Sequence, residues 1–462
     1  MLKHTLVIGA LALALNASAH ATDLLQIYQE AQKNDATYQA AAATYSAAKY
    51  GMPIALAALL PQVQLTANTQ LNSPRPVPAD HPANYNSNNY QIQITQPVLN
   101  LGAWGLFSES RITVAQAALT FTQAQQQLIT DVTTAYFNVL EAQEKLNYAQ
   151  TNQSSLAQQM NQTEQQYKVG LKALTDVQST KASYESAIAS TVSAQNAVEN
   201  AYEQLAVLTG KPETNLAILA PDAPLIKPNP NNSENWVNAA LQGNLDLQAA
   251  QLQAKLNELG ITVAKLGDGN APGYVPTINA VATNSYSRTH GVATGSDPSS
   301  VGGRARSAQL NISYSAFNGG STYYEVKKAN YTAQSAEFTL EQTRRNTISN
   351  TRQAYLNILS DISQVKAYKQ AVISGESSLE AITAAYNVGT RTIVDLLTQQ
   401  SNLFNSEQQY ANARYQYITD SLNLKAQTGL LAPNDVVAIN QWLTPATTTT
   451  SSSTMPMVKS AS

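Results

Sequence analysis

At 462 residues the chain is long enough for two or three ordinary domains, yet only 12% of it is charged and its net charge is −3. No basic stripe for nucleic-acid phosphates stands out. Cysteine is absent, which excludes disulfides, thiolate metal sites and cysteine nucleophiles.

The chain opens with Lys3 and His4, an apolar run from Leu6 to Leu15, and the small residues Ala17, Ser18, Ala19 and Ala21. That order reads as a secretory signal peptide, 1–21, with an A-x-A cleavage site. No later apolar run reaches ~18 residues, so no helix is expected to span a bilayer. Beyond the leader the pattern reads short helix, β-hairpin, long helix, tip and short helix, and then repeats. In the first repeat, 22–220, these fall at 24–57, 60–99, 103–168, near Gly170, and at 173–208. A linker, 221–234, leads to the second repeat, 235–443, with a helix at 235–266, a hairpin at 275–317, a long helix at 321–387, a tip near Gly389 and a helix at 392–427. The Thr- and Ser-rich stretch 444–462 buries too little apolar surface to order itself and reads as a disordered tail.

The repetition is carried by residues, not only by pattern. Tyr386, Gly389 and Asp395 stand 219 positions after Tyr167, Gly170 and Asp176. Ala135, Tyr136, Asn138 and Leu140 return at the same offset as Ala354, Tyr355, Asn357 and Leu359. Asn100 and Gly102 return 218 positions later as Asn318 and Gly320, and Ala31 returns 209 later as Ala240. At Gly170 and at Gly389 one helical pattern ends and another restarts within a few residues, which marks the tip of an antiparallel helical hairpin.

The long helices carry a seam of small and apolar residues at alternating four- and three-residue steps, such as Leu128, Val132, Ala135, Val139 and Ala142. About 66 residues per long helix is about 100 Å at ~1.5 Å per residue, and two short helices laid end to end match it. A coiled coil without a lumen accounts for the seam alone. The strands add a different demand. Val63, Leu65, Ala67 and Leu71 alternate with glutamine, threonine and asparagine, as do Tyr90, Ile92 and Ile94, and Leu310, Ile312 and Tyr314. One greasy and one wet face over ~9–11 residues suits a transmembrane barrel, although a soluble two-sided sheet has the same pattern. Two hairpins supply four strands, whereas the smallest such barrels need about eight, so a barrel has to be shared between two, three or four copies. The exposed hairpin ends are expected at 72–89 and 287–304. Trp104, Phe107, Tyr323 and Tyr324 suit either an interfacial aromatic belt or ordinary packing.

Taken together, the leader, the tandem repeat, the hairpins and the tips resemble the TolC family of outer-membrane efflux and secretion channels, from about Asp23 to about Trp442. The most specific stretches are Tyr386–Asp395, Leu174–Gln178 and the closing Asn434–Asn440. The resemblance implies a mixed, mostly α fold: a homotrimer with a twelve-stranded transmembrane β-barrel, four strands per chain, continued by a periplasmic α-helical barrel of coiled-coil hairpins. It implies the exit duct of a tripartite efflux or type I secretion system. The partners implied are a periplasmic adaptor (membrane fusion) protein, an inner-membrane pump of RND or ABC type, and outer-membrane lipid, with no nucleic acid and no cofactor. At the tips it implies a gate: Arg391 pairing with Asp176 beside Thr175, Tyr386 bracing one hairpin on the other, and Asp395 forming a ring of carboxylates. Some close relatives carry a second acid one turn later, where this chain has Thr398, so a double acidic ring is not implied.

Each gate residue also has a plainer reading. Thr392 and Asp395 have the spacing of a capping box, Arg391 and Asp176 read equally as separate solvated charges, and Gly170 and Gly389 as simple helix terminators. An enzyme is not expected. The sequence has no metal-spaced His and acid cluster and no phosphate loop, and His4, His20, His81 and His290 lie in the leader or in expected loops. The remaining alternative is a structural periplasmic coiled coil or adhesin-like stalk, which leaves the alternating strands without a role.

Overall fold

A computed structural model describes residues 21–73, 85–267, 272–294 and 297–444. The expected leader and tail, apart from Ala21 and Thr444, and most of the expected 72–89 loop lie outside the described residues. In chain order the elements are α1 (Leu24–Asn34), α2 (Ala36–Lys49), α3 (Gly51–Ala57), β1 (Gln62–Asn72), β2 (Tyr85–Leu99), α4 (Leu101–Lys168) and α5 (Leu174–Thr209). A short β3 (Ile218–Leu219) precedes α6 (Ser233–Gly243), α7 (Leu245–Leu266), β4 (Thr277–Thr294), β5 (Asp297–Ser313), α8 (Ser321–Asn387) and α9 (Ile393–Gln427). The chain closes with α10 (Pro433–Asn440) and β6 (Leu443–Thr444).

Two departures from the sequence reading have local causes. The helices expected over 24–57 and 235–266 are broken. Asp35 and Asn244 adopt extended backbone and accept hydrogen bonds from the N–H groups of Tyr38 and Leu247, each capping the next helix. They stand 209 positions apart, the offset of the buried Ala31 and Ala240. Secondly, the loop expected at 287–304 is mostly strand, and His290 lies in it: β4 and β5 pair as far as Thr294 and Asp297, with a bulge between Thr289 and Val292. Ladder hydrogen bonds use only the backbone, so they continue where side-chain alternation fades.

The described residues form two compact units. One comprises the described parts of Met1–Gln39, Gln125–Trp236 and Thr351–Ser462. Its core joins Leu24 and Ile27 of α1 to Tyr136, Phe137 and Leu140 of α4, Leu205 of α5, Ile418 of α9 and Val436 of α10. The repeated Ala-Tyr motif serves both halves: the Tyr136 hydroxyl donates to the Ala217 carbonyl at 2.7 Å, and the Tyr355 hydroxyl to Asn231 at 2.9 Å. The described ends are fastened together, with β3 pairing β6 and Asn440 bonding Asp23 at 3.1 Å.

The other unit comprises Ala40–Ala124 and Val237–Asn350. It contains an antiparallel sheet in the order β1-β2-β4-β5, which leaves β1 and β5 as edges. Neither face of β1 is covered, and Leu65, Tyr90, Leu310 and Ile312 are all at least half exposed. On the polar face, Gln91, Gln93 and Thr95 join in a side-chain ladder of 3.0 and 3.3 Å hydrogen bonds. Gly102 is required where α4 leaves the sheet, since a Cβ there would lie 1.6 Å from the Gly267 carbonyl oxygen. Its counterpart Gly320 is needed for a different reason, a φ of +86°.

Candidate functional site

Both tips are built the same way. Gly170 and Gly389 take φ of +78° and +81°. At each, the following N–H reaches back over the last turn, Leu171 to Gln166 and Thr390 to Ala385, both at 2.9 Å. This backbone closure satisfies the last helical carbonyls and reverses the chain within a few residues.

The restarts differ, and the difference sorts the acids. At the second tip Thr392 caps α9: its hydroxyl accepts from the Asp395 N–H at 3.2 Å, and Asp395 accepts from the Thr392 N–H and hydroxyl, both at 3.0 Å. The Thr392 N–H, then its hydroxyl and the Arg391 charge, hold the Asp395 carboxyl below its usual range. At the first tip the equivalent cap is Ala173, whose methyl group makes no hydrogen bond. Asp176 therefore makes no side-chain hydrogen bond among the described residues, and Thr175 is exposed beside it. Arg391 is exposed as well, and no ion pair joins it to Asp176 within the described residues of one chain.

Tyr386 is where the two hairpins meet. It is 2% exposed and packs with Ile393 and Leu396 of α9. The Lys172 ammonium, from the first tip, lies 4.1 Å from the centre of its ring. The Tyr386 hydroxyl is buried and has no partner among the described residues. Lys172 was not singled out by the sequence reading, although a signal existed: it stands 219 positions before Arg391, so each tip places a base two residues after its glycine. Asp395, Tyr386 and Arg391 gather at one tip, Asp176 and Thr175 at the other, and Lys172 links them. Among the described residues no His, Asp and Glu cluster fit to hold a metal is present, and no helix is long and apolar enough to cross a membrane.

A family model described as "Outer membrane efflux protein" matches residues 27–211 and again 236–430. The chain is 35% identical to "Outer membrane protein TolC" of Escherichia coli (strain K12) over 448 residues, 95% of this chain and 88% of that one. It is 27% identical to "Alkaline protease secretion protein AprF" of Pseudomonas aeruginosa, over 94% of this chain and 91% of that one. The fold is similar to the crystal structure of the Campylobacter jejuni CmeC outer membrane channel, with a TM-score of 0.73 at 16% identity, covering 96% of this chain and 98% of that one.

Proposed function

The chain belongs to the outer membrane efflux protein family, and on that premise we propose how its two repeats make and gate a duct. It is an outer-membrane exit duct for efflux and type I secretion. Three copies close the barrel. The observation that carries this reading is the four-stranded sheet whose apolar face and two edges are uncovered in a single chain. Open edges are untenable in lipid, so the sheet calls for further copies; two would already reach the minimum of about eight strands, and the family resemblance supports three, with twelve strands. The exposed Trp104, Tyr323 and Tyr324, at 55%, 52% and 69%, support an interfacial belt over ordinary packing.

The helical hairpins continue the duct into the periplasm, where an adaptor and an inner-membrane pump of RND or ABC type dock and supply the energy. The tips are the gate. Asp395 caps its own helix and, from the same position, contributes to a ring of carboxylates at the constriction. Tyr386, held under Lys172, braces the second hairpin on the first. Asp176 and Arg391, with no ion pair between them inside one chain, pair between neighbouring copies with Thr175 alongside. An exposed ion pair contributes roughly 0–1 kcal/mol, so three contribute at most about 3 kcal/mol, which is comparable to the ~1–3 kcal/mol of typical allosteric coupling. A docking partner can therefore shift such a gate.

Single-channel conductance in planar bilayers, wild type beside Arg391→Glu, tests both levels. Small, steady openings that enlarge in the variant are expected. Equal conductance would discard the gate pairing and keep the duct, whereas no conductance from either protein would return the chain to a structural stalk.

A further inference from the structure

In an antiparallel ladder opposed residues point to the same face and alternate along each strand, so the register sorts side chains by face. From the helix end, the uncovered face of β4 and β5 carries Ile278 opposite Ile312, Ala280 opposite Leu310, and Ala282 opposite Ala308. Its chemistry then changes. Asn284 stands opposite Arg306, Tyr286 opposite Arg304, and Arg288 opposite Gly302. All three arginines are exposed. A Cβ on Gly302 would come 3.1 Å from the Ser287 carbonyl oxygen, a tight approach, and would only touch the Arg288 Cγ at 3.4 Å, so the residue opposite Arg288 adds no side chain to the row. Tyr90 on β2 pairs with Tyr286, which puts two phenols in the row of Arg304. On the opposite face the same stretch carries Ser285, Ser287, Ala305 and Ser307, with no charge.

Height decides what these groups meet. Arg306 stands six residues above Ile312 and Arg288 ten above Ile278, about 20 and 33 Å along strands rising ~3.3 Å per residue, or about 15 and 25 Å at a tilt of ~40°. The apolar band of such barrels is about 25 Å tall, and the cost of a lipid-facing cation falls towards its boundary. With the band taken to begin at Ile278 and Ile312, the arginines rise from just above its middle, at Arg306, to its outer boundary, at Arg288, and their long side chains reach towards the headgroups at the end away from where α4 and α8 leave the sheet. Guanidinium forks match phosphate geometry, and tyrosines suit headgroup depth.

We propose that Arg288, Arg304 and Arg306 form a binding site on each chain for the phosphate groups of phosphorylated lipid in the outer leaflet. This rests on the barrel reading above. The site belongs to the second hairpin alone: at the corresponding rows β1 and β2 carry Leu65 with Ile92, Ala67 with Tyr90, and Thr69 with Asn88.

The test uses the full-length protein mixed with phosphatidylcholine vesicles that contain bis-phosphorylated lipid A, re-purified, and assayed by mass spectrometry for lipid A carried per chain. Wild type is expected to retain it, and Arg304→Gln with Arg306→Gln to retain at least about tenfold less. The paired Arg→Lys variant should fall between, because lysine meets phosphate only as a point charge. Enzymatically dephosphorylated lipid A should be held no better than phosphatidylcholine. Equal retention by wild type and the glutamine variant overturns the site. So does a changed anion preference of the pore with lipid retention unaltered, since the arginines would then face the lumen. Conductance separates the two levels: a conducting pore with unaltered lipid retention defeats this proposal alone, and loss of conductance in wild type defeats the barrel and the site with it.

Discussion

Lys172 and Arg391 occupy the same step of the repeat but meet different surroundings. Lys172 lies over the Tyr386 ring, whereas Arg391 is exposed, and Tyr167, the first-tip equivalent of Tyr386, is 43% exposed against 2%. In the proposed gate the ring of Tyr386 therefore carries the brace, and its hydroxyl, without a partner among the described residues, adds nothing inside one chain. Tyr386→Phe is expected to leave backbone amide exchange across 386–397 unchanged. Tyr386→Ala should speed it markedly, because deleting a buried aromatic ring costs about 3 kcal/mol. Fast exchange in both variants would mean that the hydroxyl is bonded in the assembled protein. The tyrosines, glycines and acids of the tips were legible as repeated letters. That Lys172 covers Tyr386 was not, because a cation and a ring more than two hundred residues apart meet only once the hairpins pack.

At the scale of elements, α8 and α9 enclose a pair of carboxyls. Asp361 and Asp420 are both buried, and burial, followed by the Asp420 charge and hydrogen bond, pushes the Asp361 carboxyl up to about 7. Between about pH 4 and pH 7 the folded chain thus keeps a proton that the unfolded chain has released. Its stabilisation is complete below the unfolded value and is lost as pH rises through about 7. Thermal melting across that window should show a decline that Asp361→Asn flattens and Asp420→Asn reduces; a wild-type curve parallel to that of Asp361→Asn would show that Asp361 does not keep the proton. The long helices could be read from periodicity and the strands from alternation. The breaks at Asp35 and Asn244 were missed, since one polar side chain turned to cap a new helix barely disturbs the apolar pattern around it. The far ends of β4 and β5 were missed for the opposite reason: backbone pairing persists where the pattern does not.

For the whole molecule the open edges of β1 and β5 set the requirement. A sheet that ends in unpaired N–H and C=O groups cannot face hydrocarbon, so in the proposed barrel each edge finds its complement on another copy. Native mass spectrometry of the detergent-solubilised protein should read three chains. Two or four would keep a closed barrel and discard the twelve-stranded one. The two halves, the hairpin tips, the two-faced strands and the family are legible in the residues alone, because these are local patterns that recur at constant offsets. Which acid caps its helix and which has no side-chain partner among the described residues, which base covers Tyr386, and that three arginines share one face of the sheet emerge with the folded chain. Those are properties of register and packing between distant segments, which spacing along the chain does not encode.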